Sequence, residues 1–228
     1  MPTHGLVLTA AGASTRFGGG PSKVLRPLAG VPVLARAARA FREALGALPT
    51  VVTGRPEDLE ALRALARSEP ALVGAVVVTG GATRQASVAA GVFALPPGVD
   101  VVLVHDAARP LVSPDLVRRV AAAAARDGAA APALPLADSV HRADAAGRLV
   151  ETLPRDALRT VQTPQAAQAA LLRRAIEEAE RRGLAVTDEV GLLVAAGVPV
   201  TAVPGDPRNL KLTLPDDLAR AEALLASG

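Results

Sequence analysis

Short apolar runs rich in Val and Leu recur along this chain, and between them lie longer segments with helical spacing of Leu, Ala and Val. Residues 5–10, 49–53, 75–79 and 99–105 read as buried strands. Residues 32–45, 56–67, 83–95 and 113–126 read as helices, the last with Ser113 as N-cap and Pro114 at the first helical position. Repeated strand–helix–strand units dictate a mostly parallel sheet with helices on both faces. In such α/β folds ligands bind beyond the carboxyl ends of the strands, so the loops after the strands carry the functional information.

The rhythm breaks at 138–155. Two short strands, about 138–143 and 148–153, flank a turn from Asp144 to Gly147. A lone two-stranded ribbon is marginal in water, so something must cover it. A second copy of the chain is the economical candidate, and folding back on its own body is the alternative. Beyond the ribbon, a helix is expected over 166–182 and closed by Gly183, then a shorter one capped by Thr187 and ended by Gly197. A strand at 199–203 and a helix from Pro215 complete the pattern. The 228 residues suit one α/β domain.

Composition removes several classes of function. Cys is absent, which excludes disulfides, thiolate metal sites and a Cys nucleophile. The pI near 10.4 is no nucleic-acid signal: net charge is only +3, and without Tyr or Cys few groups titrate before the Lys/Arg range. Three Phe and no Trp or Tyr make no base-stacking platform, and the charges are interleaved without a basic stripe. A small anionic ligand fits better than a polynucleotide. No apolar run is long enough to span a membrane, and no signal-peptide pattern opens the chain, so a cytoplasmic location is expected.

The positive charge is supplied almost wholly by Arg; of the 25 Lys and Arg residues, lysine accounts for Lys23 and Lys211 alone. The two cations do not interchange around a phosphate, one being a compact point charge and the other a planar fork. Lys23 closes a loop of small residues, 8–23, that follows the first strand and holds Arg16. Such loops bring backbone N–H groups close to phosphates, and a phosphate role is the preferred reading of the loop, with a flexible connection the alternative. It carries neither a Walker A nor a dinucleotide fingerprint. After the fourth strand comes His105-Asp106-Ala107-Ala108-Arg109. A carboxylate at a buried strand end requires a cation, metal or donors. An ion pair with Arg109 is the plain reading of Asp106; opposite the Gly-rich loop it is also a candidate for Mg²⁺ or a substrate hydroxyl. His105 reads as a satisfied core histidine. His4 and His141 are expected in a flexible terminus and on the ribbon.

Taken together, these elements resemble the 2-C-methyl-D-erythritol 4-phosphate cytidylyltransferase family. The resemblance is carried by the opening loop with Arg16 and Lys23, Gly80-Gly81 with Arg84 and Ser87, and the 104–110 segment. It continues through Val161-Gln162-Thr163-Pro164-Gln165, Thr187-Asp188-Glu189 and Asn209-Leu210-Lys211, spanning about 5–225. It implies a Rossmann-like three-layer nucleotidyltransferase fold with a protruding β-hairpin arm at 137–157 that pairs two subunits. It implies transfer of CMP from CTP to a methylerythritol phosphate with Mg²⁺, and release of pyrophosphate.

By position, the resemblance assigns Ala10, Ala11, Gly12, Ala13, Ser14, Gly80, Gly81, Ala82, Thr83, Arg84 and Ser87 to the nucleotide. Asp106, Arg109, Ser139, Arg155, Thr163, Thr187 and Lys211 fall to the sugar phosphate, with Ser139 and Arg155 serving the neighbouring subunit. Arg16, Lys23, Arg155 and Lys211 are the expected catalytic set, and Asp106 the candidate metal ligand. Some positions depart from the family's habit: Ser22 where Pro is common, Val24 where Gln is frequent, Ser139 for Thr, and Ala82 where Asp is often found. None removes a charge that the chemistry needs. A relative acting on another polyol phosphate such as ribitol 5-phosphate, and a non-catalytic nucleotide sensor, are the competing readings.

Overall fold

The computed structural model describes residues 2–12, 17 and 22–227. Strand β1 (His4–Thr9) opens the chain, and a small ribbon of β2 (Pro27–Leu28) and β3 (Val31–Pro32) leads into α1 (Val33–Leu45). Then follow β4 (Thr50–Gly54), α2 (Leu59–Ser68), β5 (Val76–Thr79), α3 (Arg84–Ala94), β6 (Val101–Asp106) and α4 (Pro114–Asp127). Next are β7 (Ala129–Pro135), β8 (Val140–Ala143), β9 (Leu149–Leu153), β10 (Arg159–Val161), β11 (Gln165–Gln168) and α5 (Ala169–Arg182). The chain closes with α6 (Glu189–Ala195), β12 (Thr201–Pro204) and α7 (Asp216–Ala226).

The main sheet runs β10-β7-β11-β6-β1-β4-β5, with β12 also paired to β7. β6, β1, β4 and β5 are mutually parallel, as are β12 and β7, while β11 and β10 enter antiparallel. Alternation along the strands builds the layers. Leu6, Leu8, Val101 and Leu103 face one side and pack with Leu34, Phe41, Leu62 and Leu116 of α1, α2 and α4. Val7, Val102 and Val104 face the other and pack with Val88, Val92, Leu172, Ile176 and Leu192 of α3, α5 and α6. This is a three-layer α/β fold.

The chain proceeds from β1 outward through β4 to β5, then returns through α3 to β6 on the opposite side of β1. The sheet therefore has its topological switch between β1 and β6, where a crevice opens at the carboxyl ends of the strands. Thr9 and Asp106, the last residues of these two strands, are partners in register.

Most expected elements fall within a residue or two of their places. Ser113 caps α4 through Leu116 N–H, and Gly183 takes the left-handed conformation that ends α5. Three readings are corrected, and one strand that the sequence reading lacked is added. Residues 165–168 form β11, so the helix expected from 166 begins at Ala169. Ala166 and Ala167 stand between β6 and β7, where a small side chain fits on either face and tertiary context overrides helix propensity. Strand β7 was hidden for the same reason, its Ala/Pro-rich run lacking β-branched residues. Asp188, not Thr187, caps α6, accepting from Gly191 N–H at 2.9 Å. His4 is half-buried within β1, opposite Val101, rather than in a loose terminus.

The arm is present as the sequence suggests. β8 and β9 pair only with each other among the described residues, and Asp144 accepts from Ala146 and Arg148 N–H in the turn. Leu149 and Val150 are 69% and 58% exposed. No helix of the described residues is long and apolar enough to cross a membrane.

Candidate active site

A cavity of about 390 Å³ opens at the switch between β1 and β6. Its walls come from Thr9, Ala10, Ala11 and Gly12 after β1, from Lys23 and Val24, and from the start of α3 (Gly81, Ala82, Thr83, Arg84, Ser87). Asp106 and Ala108 after β6, with Lys211 and Thr213 near the C-terminus, complete it. The two lysines thus share one cavity.

The small residues are required by close approach. A Cβ on Gly80 would sit 2.5 Å from Ala11 Cβ, and one on Gly81 would sit 2.4 Å from Ala86 Cβ. The first loop and the head of α3 can meet only without a side chain at 80, and the turn into α3 closes only without one at 81. Ser87, buried beneath, accepts from Gly81 N–H at 3.1 Å, and Thr83 caps α3 through Ala86 N–H at 3.0 Å. An eleven-residue helix thereby presents its N-terminus to the cavity, an arrangement that favours anions.

Phe17 anchors the lysine side. Its ring lies 5.9 Å from Lys23 Nζ and 5.2 Å from the Arg26 guanidinium. It is packed in a small cluster with Leu28, Val33, Ala221 and Leu212, the residue that follows Lys211. One apolar platform therefore supports both lysine segments.

Asp106 is the electrostatic centre. Its Oδ1 accepts from Arg84 Nε at 3.2 Å and Thr9 Oγ1 at 3.3 Å. Its Oδ2 meets Lys211 Nζ at 2.8 Å and Arg109 Nε at 3.7 Å. Burial alone would raise this carboxyl, but Arg84, Lys211 and Arg109 overcome it and hold Asp106 far below the usual carboxylate range. Arg84 is also clamped by both oxygens of the buried Glu189, at 2.7 and 3.0 Å. Burial pushes Glu189 upward, against the pull of Arg84; burial likewise lowers Arg109, with Asp106 opposing.

Behind Asp106 runs a chain of hydrogen bonds. His105 Nε2 lies 3.1 Å from the Arg109 carbonyl, which can only accept, so this nitrogen carries the proton. Nδ1 is then an acceptor for the Thr163 hydroxyl at 3.0 Å, and Thr163 Oγ1 accepts from Asp106 N–H at 3.1 Å. His105 is fully buried against Phe41, and desolvation pulls its pKa to about 4 despite the favourable Arg109 carbonyl. It is the neutral core histidine that its place on an apolar strand suggests. Asn209 ties the assembly to the C-terminal segment: Nδ2 donates to the Thr163 carbonyl at 2.8 Å, and its own carbonyl accepts from Arg109 at 2.8 Å.

The expected site residues divide accordingly. Ala10, Ala11, Gly12, Lys23, Gly81, Ala82, Thr83, Arg84, Ser87, Asp106 and Lys211 line the cavity. Gly80 backs it, donating to the Gly54 carbonyl. Arg109 and Thr163 lie behind Asp106, and Thr187 offers its carbonyl to Arg84 at 3.5 Å. Ser139 and Arg155 are exposed on and beside the arm, outside the cavity; Arg155 donates to the Ala137 carbonyl. Ala13, Ser14 and Arg16 lie outside the described residues. The sequence reading gave no role to Thr9, Thr213 or Glu189. Thr9 was accessible from its place at the end of β1; Glu189 stood in the quoted Thr187-Asp188-Glu189 segment, but its pairing with Arg84, distant in sequence, could not be read from it. Among the described residues no three His, Asp or Glu side chains converge to hold a metal.

Comparison with known proteins agrees with this fold. The sequence profile of the family described as IspD, 2-C-methyl-D-erythritol 4-phosphate cytidylyltransferase, matches residues 5–227. The chain is 44% identical to the protein of that name from Frankia casuarinae over 227 residues, covering 99% of this chain and 82% of the relative. It is 47% identical to the bifunctional enzyme IspD/IspF from an Anaeromyxobacter species, covering 96% of this chain but 56% of that longer protein. The crystal structure of the cytidylyltransferase from Thermus thermophilus superposes with a TM-score of 0.79 at 39% identity, covering 99% of this chain and 100% of that one.

Proposed function

The chain belongs to the 2-C-methyl-D-erythritol 4-phosphate cytidylyltransferase family, and from that premise we propose how its cavity transfers CMP from CTP to 2-C-methyl-D-erythritol 4-phosphate. The observation that carries the proposal is the convergence of Lys23, Lys211 and the head of α3 on one cavity. An oxygen of the sugar phosphate attacks the α-phosphorus of CTP, a new P–O bond forms, and the bond to the β-phosphate oxygen breaks to release pyrophosphate. The nucleophile is already an anion at neutral pH, so no general base is needed, and a neutral buried His105 is no obstacle.

The barrier is the approach of one anion to another, and preorganised cations lower it. The backbone of 10–12 and 81–83, with Ser87, would receive the nucleotide. Lys23, together with Arg16, would neutralise the leaving pyrophosphate. Lys211 would steady the attacking phosphate, with Asp106 facing the sugar hydroxyls and Arg109 supporting it from behind. Ser139 and Arg155 would reach a neighbouring subunit's cavity through the arm, which makes the working unit a homodimer.

Asp106 is the one carboxylate among the described residues lining the cavity, and both its oxygens already meet cations, so Mg²⁺ would be held chiefly by phosphate oxygens and water, with Asp106 as its one protein carboxylate. When bound, it would add neutralising charge to the triphosphate.

Pyrophosphate release from CTP and a panel of polyol phosphates tests the proposal. Release is expected with the methylerythritol phosphate and loss on adding EDTA. Release with ribitol 5-phosphate alone would replace the substrate, and CTP binding without turnover would make the chain a sensor.

A further inference from the structure

Arg84 is expected from its position to meet the nucleotide, yet its donors are committed elsewhere. Nη1 and Nη2 each donate to one oxygen of Glu189, at 2.7 and 3.0 Å, and Nε donates to Asp106 Oδ1 at 3.2 Å. Nη2 also lies 3.2 Å from Asp106 Oδ1, and Nη1 reaches the Thr187 carbonyl at 3.5 Å. The guanidinium is a strut between two buried carboxylates, one on α6 and one at the end of β6.

Glu189 is held in place with care. Its neighbour Asp188 caps α6, and Gln165 of β11 grips the same turn, donating to Asp188 Oδ2 at 3.0 Å and accepting from Val190 N–H at 2.8 Å. A buried Arg–carboxylate pair is a poor stabiliser compared with apolar packing of the same volume. α3 and α6 already contribute Val88, Val92, Leu192 and Leu193 to the core. The charged pair therefore needs a reason other than adhesion, and the second contact of Arg84, to Asp106, points to one. With Arg84 occupying Oδ1, the Asp106 carboxylate cannot turn both oxygens toward Lys211, and Oδ2 alone faces that ammonium.

We propose that Glu189 is a positioning residue: it fixes Arg84, Arg84 fixes the rotation of Asp106, and Asp106 thereby holds Lys211 where the sugar phosphate arrives. This rests on the reading of the cavity given above. Without the Glu189 charge, Arg84 moves onto Asp106, the carboxylate rotates, and Lys211 loses its seat. The nucleotide side, built from backbone amides and Ser87, is left as it was.

The test is steady-state kinetics of the full chain with CTP and the methylerythritol phosphate, paired with equilibrium CTP binding by calorimetry. Glu189→Gln is expected to lower kcat/KM for the sugar phosphate about tenfold or more, with the CTP Kd changed less than about twofold. A general loosening of structure would weaken both together, and that result, or an unchanged kcat/KM, overturns the proposal. Should Glu189→Gln not fold, Glu189→Asp keeps the charge and leaves Arg84 in place while shortening the reach to it, and the same split, smaller in size, is expected. If the wild-type chain releases no pyrophosphate, the reading of the reaction fails; if it does and Glu189→Gln matches it, only the role of Glu189 fails.

Discussion

Lys211 Nζ sits 2.8 Å from Asp106 Oδ2, joining the C-terminal segment to the carboxyl end of the central strand β6. The Asp106 carboxylate is nearly buried, while the Lys211 side chain is 41% exposed. The pair is therefore anchored at one end and open at the other, and an arriving phosphate adds a second partner to an ammonium already aimed.

Removing the anchor is expected to be costly. Asp106→Asn leaves Arg84, Arg109 and Lys211 without a shared counter-charge in a mostly buried setting, and about 3 kcal/mol of stability should be lost. Denaturant unfolding at neutral pH measures this; a change under about 0.5 kcal/mol, typical of an exposed pair, would contradict it.

His105 makes stability depend on pH in a defined direction. Its pKa is near 4 in the folded chain against an ordinary 6.5. Between these values the unfolded chain binds the extra proton, so stability falls as pH drops from about 6.5 toward 4. The wild type should lose about 2 kcal/mol more than His105→Gln between pH 7 and pH 5. Parallel losses in both proteins, measured by denaturant titration, would rule this histidine out as the cause.

Much of this was legible in the residues themselves. The Val/Leu runs of β1, β4 and β6 have one buried reading, and Gly183 and Ser113 announce helix ends by their chemistry. Lys23 and Lys211 stood out because nearly every other cation is Arg. The losses have a common cause. β7 and β11 are strands of alanine, which carries no β signal, and they exist because neighbouring strands leave room for small side chains only. Glu189 and Asn209 act through partners some hundred residues away, a distance that no local pattern encodes. The small ribbon β2–β3 likewise exists only as a bridge into α1.

The arm yields a prediction about subunits. Arg155 and Ser139 lie outside the cavity that holds Lys23, so a complete site would draw on two chains. Lys23→Ala and Arg155→Ala, each nearly inactive, should regain roughly one quarter of wild-type activity when mixed and re-equilibrated, since random pairing restores one whole site in half of the dimers. No recovery would mean that each chain builds its site alone.

The central claim is that two ammonium groups on one cavity neutralise two anions as they react. Single-turnover pyrophosphate formation from CTP and 2-C-methyl-D-erythritol 4-phosphate tests it most directly, comparing the wild type with Lys23→Ala and Lys211→Ala. Each substitution is expected to slow the step about 10²–10³-fold with the fold intact. A wild-type rate in either variant would contradict the account.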